Sequence, residues 1–232
     1  MARESLVDVV AAALLERVVD GRTPPGQLLP PEAELAAEHD VSRLTVREAL
    51  KVLQTQGVIE VQRGRGTVVR PTSTWTAIDA VALAHDRSGG EQAALQLLQL
   101  RRMVESGAAE LAALHRSDAD LADLERHLSA MRSAHDAADV AGFVAADIAF
   151  HDVVFRASGN PFVAVLLGPL SAVLRARREE TSRHEPVQLH AIAEHAGVLE
   201  AVRSADPAAA RAAMDSHMDQ TLADLRRYVL GR

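Results

Sequence analysis

Residues 41–70 restrict the fold more than any other stretch, because they set a short, sharply bounded helix against a short hairpin. Val46, Ala49, Leu50 and Leu53 share one helical face, while Arg43, Arg47 and Lys51 fall at i, i+4 and i+8 beside it. One face packs and its neighbour is positive. Ser42 is a good N-cap and Gly57 a C-terminal stop, so the helix cannot run on. A cation in the first turn opposes the helix dipole, so Arg43 points to an anionic partner. Residues 58–61 and 67–69 then read as β-branched strands, joined by Gln62-Arg63-Gly64-Arg65-Gly66, a hairpin tip with two arginines.

Upstream, residues 5–20 form an amphipathic pattern with Leu6, Val9, Val10, Ala13, Leu14 and Val18 inward, closed by Gly21. Thr23-Pro24-Pro25-Gly26 is a turn. Pro30-Pro31-Glu32 opens a second short helix to about His39, with Pro in the first turn and an acid at the positive dipole end. Helix, helix, basic helix and basic hairpin make a winged helix-turn-helix, whose third helix enters the major groove while the wing meets backbone or minor groove.

The net charge of -7 opposes a nucleic-acid partner only when taken whole. Residues 1–70 hold 9 Lys+Arg against 10 Asp+Glu, leaving 16 against 22 for the rest, so the acid sits mainly in the second part. Residues 43–70 carry Arg43, Arg47, Lys51, Arg63, Arg65 and Arg70 against Glu48 and Glu60, and a local basic footprint is what phosphate contact requires.

At 232 residues and 48% hydrophobic content the chain can bury one large or two modest cores. Without Cys, a disulfide framework or thiolate metal site is excluded, and any metal must rely on His and carboxylates. Glu4, Asp8, Glu16 and Asp20 interrupt the first apolar stretch, and residues 161–174 are too short and too broken for a membrane helix, so a cytoplasmic location is expected.

Leu29-Pro30-Pro31-Glu32, Leu35-Ala36, Val41-Ser42-Arg43, Val46-Arg47-Glu48-Ala49-Leu50, Gly57 and the Arg-Gly-Arg-Gly wing resemble the DNA-binding domain of GntR-family bacterial transcription regulators. In the FadR-like branch the resemblance implies base or phosphate contacts from Arg43, Thr45, Arg47, Arg63 and Gly64. With the cap and the other basic positions, the expected DNA-binding set is Ser42, Arg43, Thr45, Arg47, Lys51, Arg63, Gly64 and Arg65. One position departs: Ala33 stands where many relatives carry Arg.

Beyond the polar, Pro-started segment at Pro71-Thr72-Ser73-Thr74, a short helix is expected over 75–85, broken by Arg87-Ser88-Gly89-Gly90. Helical patterns then fill 91–115, 118–138, 140–157, 161–180, 187–204 and 207–230. Short connections and Ala-rich faces describe an antiparallel bundle. The predicted fold class is therefore mostly α, an N-terminal winged helix-turn-helix over 1–70, a linker and short helix over 71–90, and an all-helical ligand-binding and dimerisation domain over 91–232.

Inside that bundle Asp147 and His151 lie at i, i+4 on a face shared with Phe143, Val144, Phe150 and Val154. His195 lies with Ile192, Leu199 and Val202, and His217 with Ala210, Ala213 and Met214. A lone inward histidine is usually a satisfied core residue, but three with one aspartate suit a divalent ion such as Zn, Ni or Mn. His39, His85, His115, His127, His135, His184 and His190 are read as surface or supporting residues.

Arg101 with Glu105, residues 147–151 followed by Ser158-Gly159-Asn160, Glu194-His195, and Asp206 with His217 resemble the FCD ligand-binding domain. The resemblance implies metal at Asp147, His151, His195 and His217, and a small organic acid against it, with Arg101 and Asn160 as effector-binding residues. Gly168-Pro169 is expected to kink its helix.

The expected function is a non-enzymatic, ligand-responsive regulator, a repressor in most relatives, binding a double-stranded DNA operator as a homodimer. Two alternatives stand beside it: a metal-dependent hydrolase or isomerase with a DNA-binding head, and a regulator sensing a fatty acyl thioester. The first lacks an inward acid or base beyond the ligands, and the second fits poorly with a polar centre.

Overall fold

The computed structural model describes residues 5–231, so Glu4, one of the acids that interrupt the first stretch, lies outside the described residues. The chain divides into two compact units, Met1–Gly90 and Glu91–Arg232.

The first unit contains α1 (Leu6–Val19), α2 (Glu32–Glu38) and α3 (Arg43–Thr55), then strands β1 (Ile59–Gln62) and β2 (Gly66–Val69). The expected caps form. Ser42 Oγ accepts from Thr45 N at 3.1 Å, and the Asp40 turn between α2 and α3 takes a positive φ of 51°. β1 and β2 pair antiparallel in the register Ile59 to Val69 and Gln62 to Gly66, and residues 26–29 add backbone bonds along β2, such as Leu29 N to Thr67 O at 2.8 Å. Leu14, Leu35, Val46, Leu53 and Ile59 are wholly buried between helices and hairpin. Gly57 ends α3 at φ +76, where a Cβ would meet Thr74 O at 3.0 Å. This close approach belongs to the segment over 71–90, which puts Trp75, Ala80 and Ala84 into the same core.

Helix α4 (Ile78–His115) is interrupted at Gly90, whose φ of 48° and ψ of -116° are not helical. The second unit holds the remainder of α4 with α5 (Asp118–Asp136), α6 (Val140–Ala157), α7 (Pro161–Leu167), α8 (Ser171–Thr181), α9 (Glu185–Arg203) and α10 (Pro207–Asp224). A Ser117–Asp120 capping box starts α5, Asp139 caps α6 and Asp206 caps α10, so the short polar connections fix each reversal. Phe143, Phe150, Leu124, Met131, Met214 and Met218 fill the core, with α6 the most completely buried element. The expected single helix over 161–180 is two helices joined by a 3-10 turn at Gly168–Leu170, because Pro169 denies the ladder its N–H. No helix among the described residues is long and apolar enough to cross a membrane.

Candidate functional site

Helix α3 turns Arg43, Arg47 and Lys51 to solvent while Val46, Ala49, Leu50 and Leu53 pack. Arg47 is held by Glu32 at the start of α2, with Nη2 to Oε2 at 2.9 Å, and Lys51 by Glu48 at 2.8 Å. Arg63, Gly64 and Arg65 form the exposed hairpin tip, where Arg65 donates to Gln62 Oε1 at 3.0 Å. Ser42 and Thr45 are tied to each other, their hydroxyls 2.9 Å apart. The expected positions thus occupy two exposed, cationic elements of one unit.

In the second unit the four expected ligands converge. Donor atoms of His151, His195 and His217 lie within 4.8 Å of one another. Asp147 Oδ1 is 3.2 Å from His195 Nε2 and 3.9 Å from His151 Nε2. All four residues are buried. His195 Nδ1 donates to Ala191 O at 2.7 Å, which fixes the ring with Nε2 turned toward the cluster. His151 Nδ1 lies 2.7 Å from Glu105 Oε2, a close contact off the hydrogen-bond line, and Arg101 Nε donates to Glu105 Oε1 at 2.7 Å. Glu105 thus stands where a carboxylate can take the proton of the second ring nitrogen and orient a ligating imidazole.

The electrostatics follow from burial. Burial pushes the His151 ring down to about 4, against the opposing pull of Glu105, so it is neutral at ordinary pH. His217 is driven well below the usual histidine range by burial and then by His195 and His151. Burial would raise Glu105 and Asp147, yet Arg101 with His151 and Arg178 around the first, and Arg178 with His195 and His151 around the second, together outweigh it and hold both carboxyls well below their ordinary range. His151 Nε2, His195 Nε2 and both His217 nitrogens have no hydrogen-bond partner although all are buried. Unsatisfied polar atoms of this kind are costly, and neutral imidazoles with an ionised carboxylate are the donor set a borderline divalent cation takes. The residues fit a metal.

A cavity of about 510 Å³ reaches the cluster at Glu105, His151 and Arg178, and Asn160, Leu167 and Leu174 line it further out. Asn160 is also the N-cap of α7, its Oδ1 accepting from Phe162 N at 3.1 Å. Arg101 lines a smaller recess beside Asp147 and His217 and does not line the larger cavity. Arg178 was not legible as a site residue. Its Nε is paired with Asp147, and its side chain is 12% exposed. Of the supporting histidines, His115 meets Ser158 O, His135 meets Gln188 and His190 meets the buried Asp224.

Comparison with known proteins gives matches to two family models: bacterial regulatory proteins of the gntR family over residues 6–69, and the FCD domain over 96–220. The galactonate operon transcriptional repressor of Escherichia coli K12 is 31% identical over 209 residues, covering 89% of this chain and 90% of that protein. The transcriptional repressor NanR of Klebsiella aerogenes is 30% identical over 232 residues, covering 97% and 87%. Among solved structures, Streptococcus agalactiae GntR aligns with TM-score 0.50 at 28% identity over 93% of this chain and 98% of that one. Listeria monocytogenes Lar aligns with TM-score 0.66 at 19% identity over 98% and 100%, a likeness of fold.

Proposed function

Since the chain belongs to the GntR family of bacterial regulatory proteins and carries an FCD domain, we propose that it is a metal-containing, acid-responsive repressor. In this reading a cytoplasmic homodimer binds a palindromic operator through α3 and the hairpin, and a small carboxylic acid bound in the helical domain changes that affinity. Residues 1–70 act as the DNA-binding part and 91–232 as the ligand-binding and dimerisation part.

The observation that carries the reading is the set of buried, partnerless nitrogens on His151, His195 and His217 beside Asp147. Those four residues would hold Zn, Ni or Mn, which supplies Lewis-acid hold on a carboxylate when bound. The buried charges support an anionic ligand: Arg101 and Arg178 balance Glu105 and Asp147, so a divalent ion leaves two positive charges uncompensated. Of the two residues expected to bind the effector, Asn160 lines the larger cavity, whereas Arg101 lines the smaller recess beside His217 with its Nε engaged by Glu105. A one-domain head buries too little surface for tight specific binding, which favours two heads per operator. The acid acts by binding one arrangement of the heads better than another.

The test is elemental analysis of the purified chain followed by operator titration with and without acids, galactonate first because a relative's name carries it. Metal at one per chain and an acid-dependent change in operator affinity are expected. A metal-free protein with a binding curve indifferent to every acid removes the reading.

A further inference from the structure

We propose that Arg178 is the residue that receives the effector's carboxylate, and that its ion pair with Asp147 links the acid to the metal ligands; this rests on the acid-and-metal reading above. Three observations lead there. Arg178 is the cation shared by the 510 Å³ cavity and the smaller recess beside Asp147 and His217. Its guanidinium offers five N–H donors in a fixed fork, and Nε stands in ion-pair contact with Asp147 Oδ2. Arg101, in contrast, directs Nε at Glu105, which in turn meets His151, and so serves to position a histidine.

Arg178 therefore stands between a carboxylate that faces the histidines and a cavity large enough for a small organic acid. A ligand carboxylate entering that cavity meets a planar bidentate donor, and the Asp147 charge it competes with is the one the metal also draws on. The same cavity is walled by Ala164 and Leu167 of α7, one break away from α8, which carries Arg178. Acid and metal are thus coupled, each favouring the other's retention.

The experiment is calorimetry of the full chain loaded with zinc, against D-galactonate, L-malate, L-lactate and glycolate, using the tightest wild-type binder for the variants. Arg178→Gln should lower acid affinity at least about tenfold, and Arg178→Lys, which keeps the charge but loses the fork, by a smaller factor. Both should retain one zinc per chain by elemental analysis, and melting curves report folding. Ala164→Phe, which narrows the cavity without touching the Arg178 pair, should weaken the acid and leave zinc in place. Wild-type acid affinity in folded Arg178→Lys and Arg178→Gln overturns the assignment. So does parallel loss of zinc and acid in Arg178→Lys, which would make Arg178 a support for Asp147 only. Wild-type protein that takes up neither zinc nor any of the acids overturns the functional reading itself, and this proposal with it.

Discussion

The head and the bundle each contain an arginine paired with a glutamate, and the two pairs behave in opposite ways. Arg47 and Glu32 meet at 2.9 Å with side chains 56% and 38% exposed, whereas Arg101 and Glu105 meet at 2.7 Å with side chains 7% and 0% exposed. Water and salt screen the first pair, so opening it costs little. The second pair cannot exchange either partner for water. The head therefore keeps its cations in contacts that a phosphate or base can replace, while the bundle locks its charges into one arrangement around the histidines.

The sharpest way to break this contrast is to delete the arginine from each pair. Arg101→Ala leaves Glu105 buried without its main cation and should destabilise the fold by about 3 to 5 kcal/mol. Arg47→Ala should cost only a small part of that, since both partners stay in water. Urea unfolding of both variants compares them directly. A cost below about 1 kcal/mol for Arg101→Ala would erase the distinction.

Acid should act on the bundle before ordinary carboxylates titrate. His151 has a ring pushed to about 4 in the fold against 6.5 when unfolded, so between those values the unfolded chain binds the extra proton. Stability is thus full above the unfolded value and falls as pH drops, by about 2 kcal/mol between pH 7 and pH 5. His217 adds in the same direction, and Glu105 and Asp147, held low, contribute stability that is lost as pH falls through their range. Chelator-treated protein unfolded by urea at the two pH values reads this out, and a flat profile would mean the histidines are not held neutral by burial.

The same division explains what the sequence revealed. Periodicity, caps and the Gly57 stop made α3 and the hairpin readable, since local signals decide them. Asp147 and His151 were readable because four residues on a helix put both on one face, and His195 and His217 because each lies among apolar neighbours. Arg178 was not. It follows Arg177 in a short helix with a mixed face, and only the approach of α6 determines which of the two turns inward. The contact of Glu105 with His151 likewise joins α4 to α6, a pairing that no local pattern carries.

On the head, the contrast is sharpened by DNA. Arg43→Ala and Arg47→Ala should each weaken specific operator binding by about 1 to 3 kcal/mol where the arginine reads a base, with stability almost unchanged. Arg63→Ala should weaken all sequences evenly and flatten the salt dependence by about one unit of slope if it meets phosphate. Operator titrations across several salt concentrations separate the two, and unaltered affinity in both helix variants would remove α3 as the reading element.

The smallest expected effect tests whether the Arg47–Glu32 pair is a store or a support. The carboxylate that holds Arg47 in the free protein must release it before the guanidinium can meet DNA, and Glu32 itself lies on an exposed surface where phosphates would repel it. Glu32→Gln removes both effects. It should tighten DNA binding by a few tenths of a kcal/mol up to about 1 kcal/mol, a gain that shrinks as salt screens the pair. It should also lose a comparable amount of stability, because an acid at the start of α2 favours the helix dipole. Weaker DNA binding in Glu32→Gln would show instead that the glutamate aims Arg47, as Glu105 meets His151, and the two pairs would then differ only in exposure.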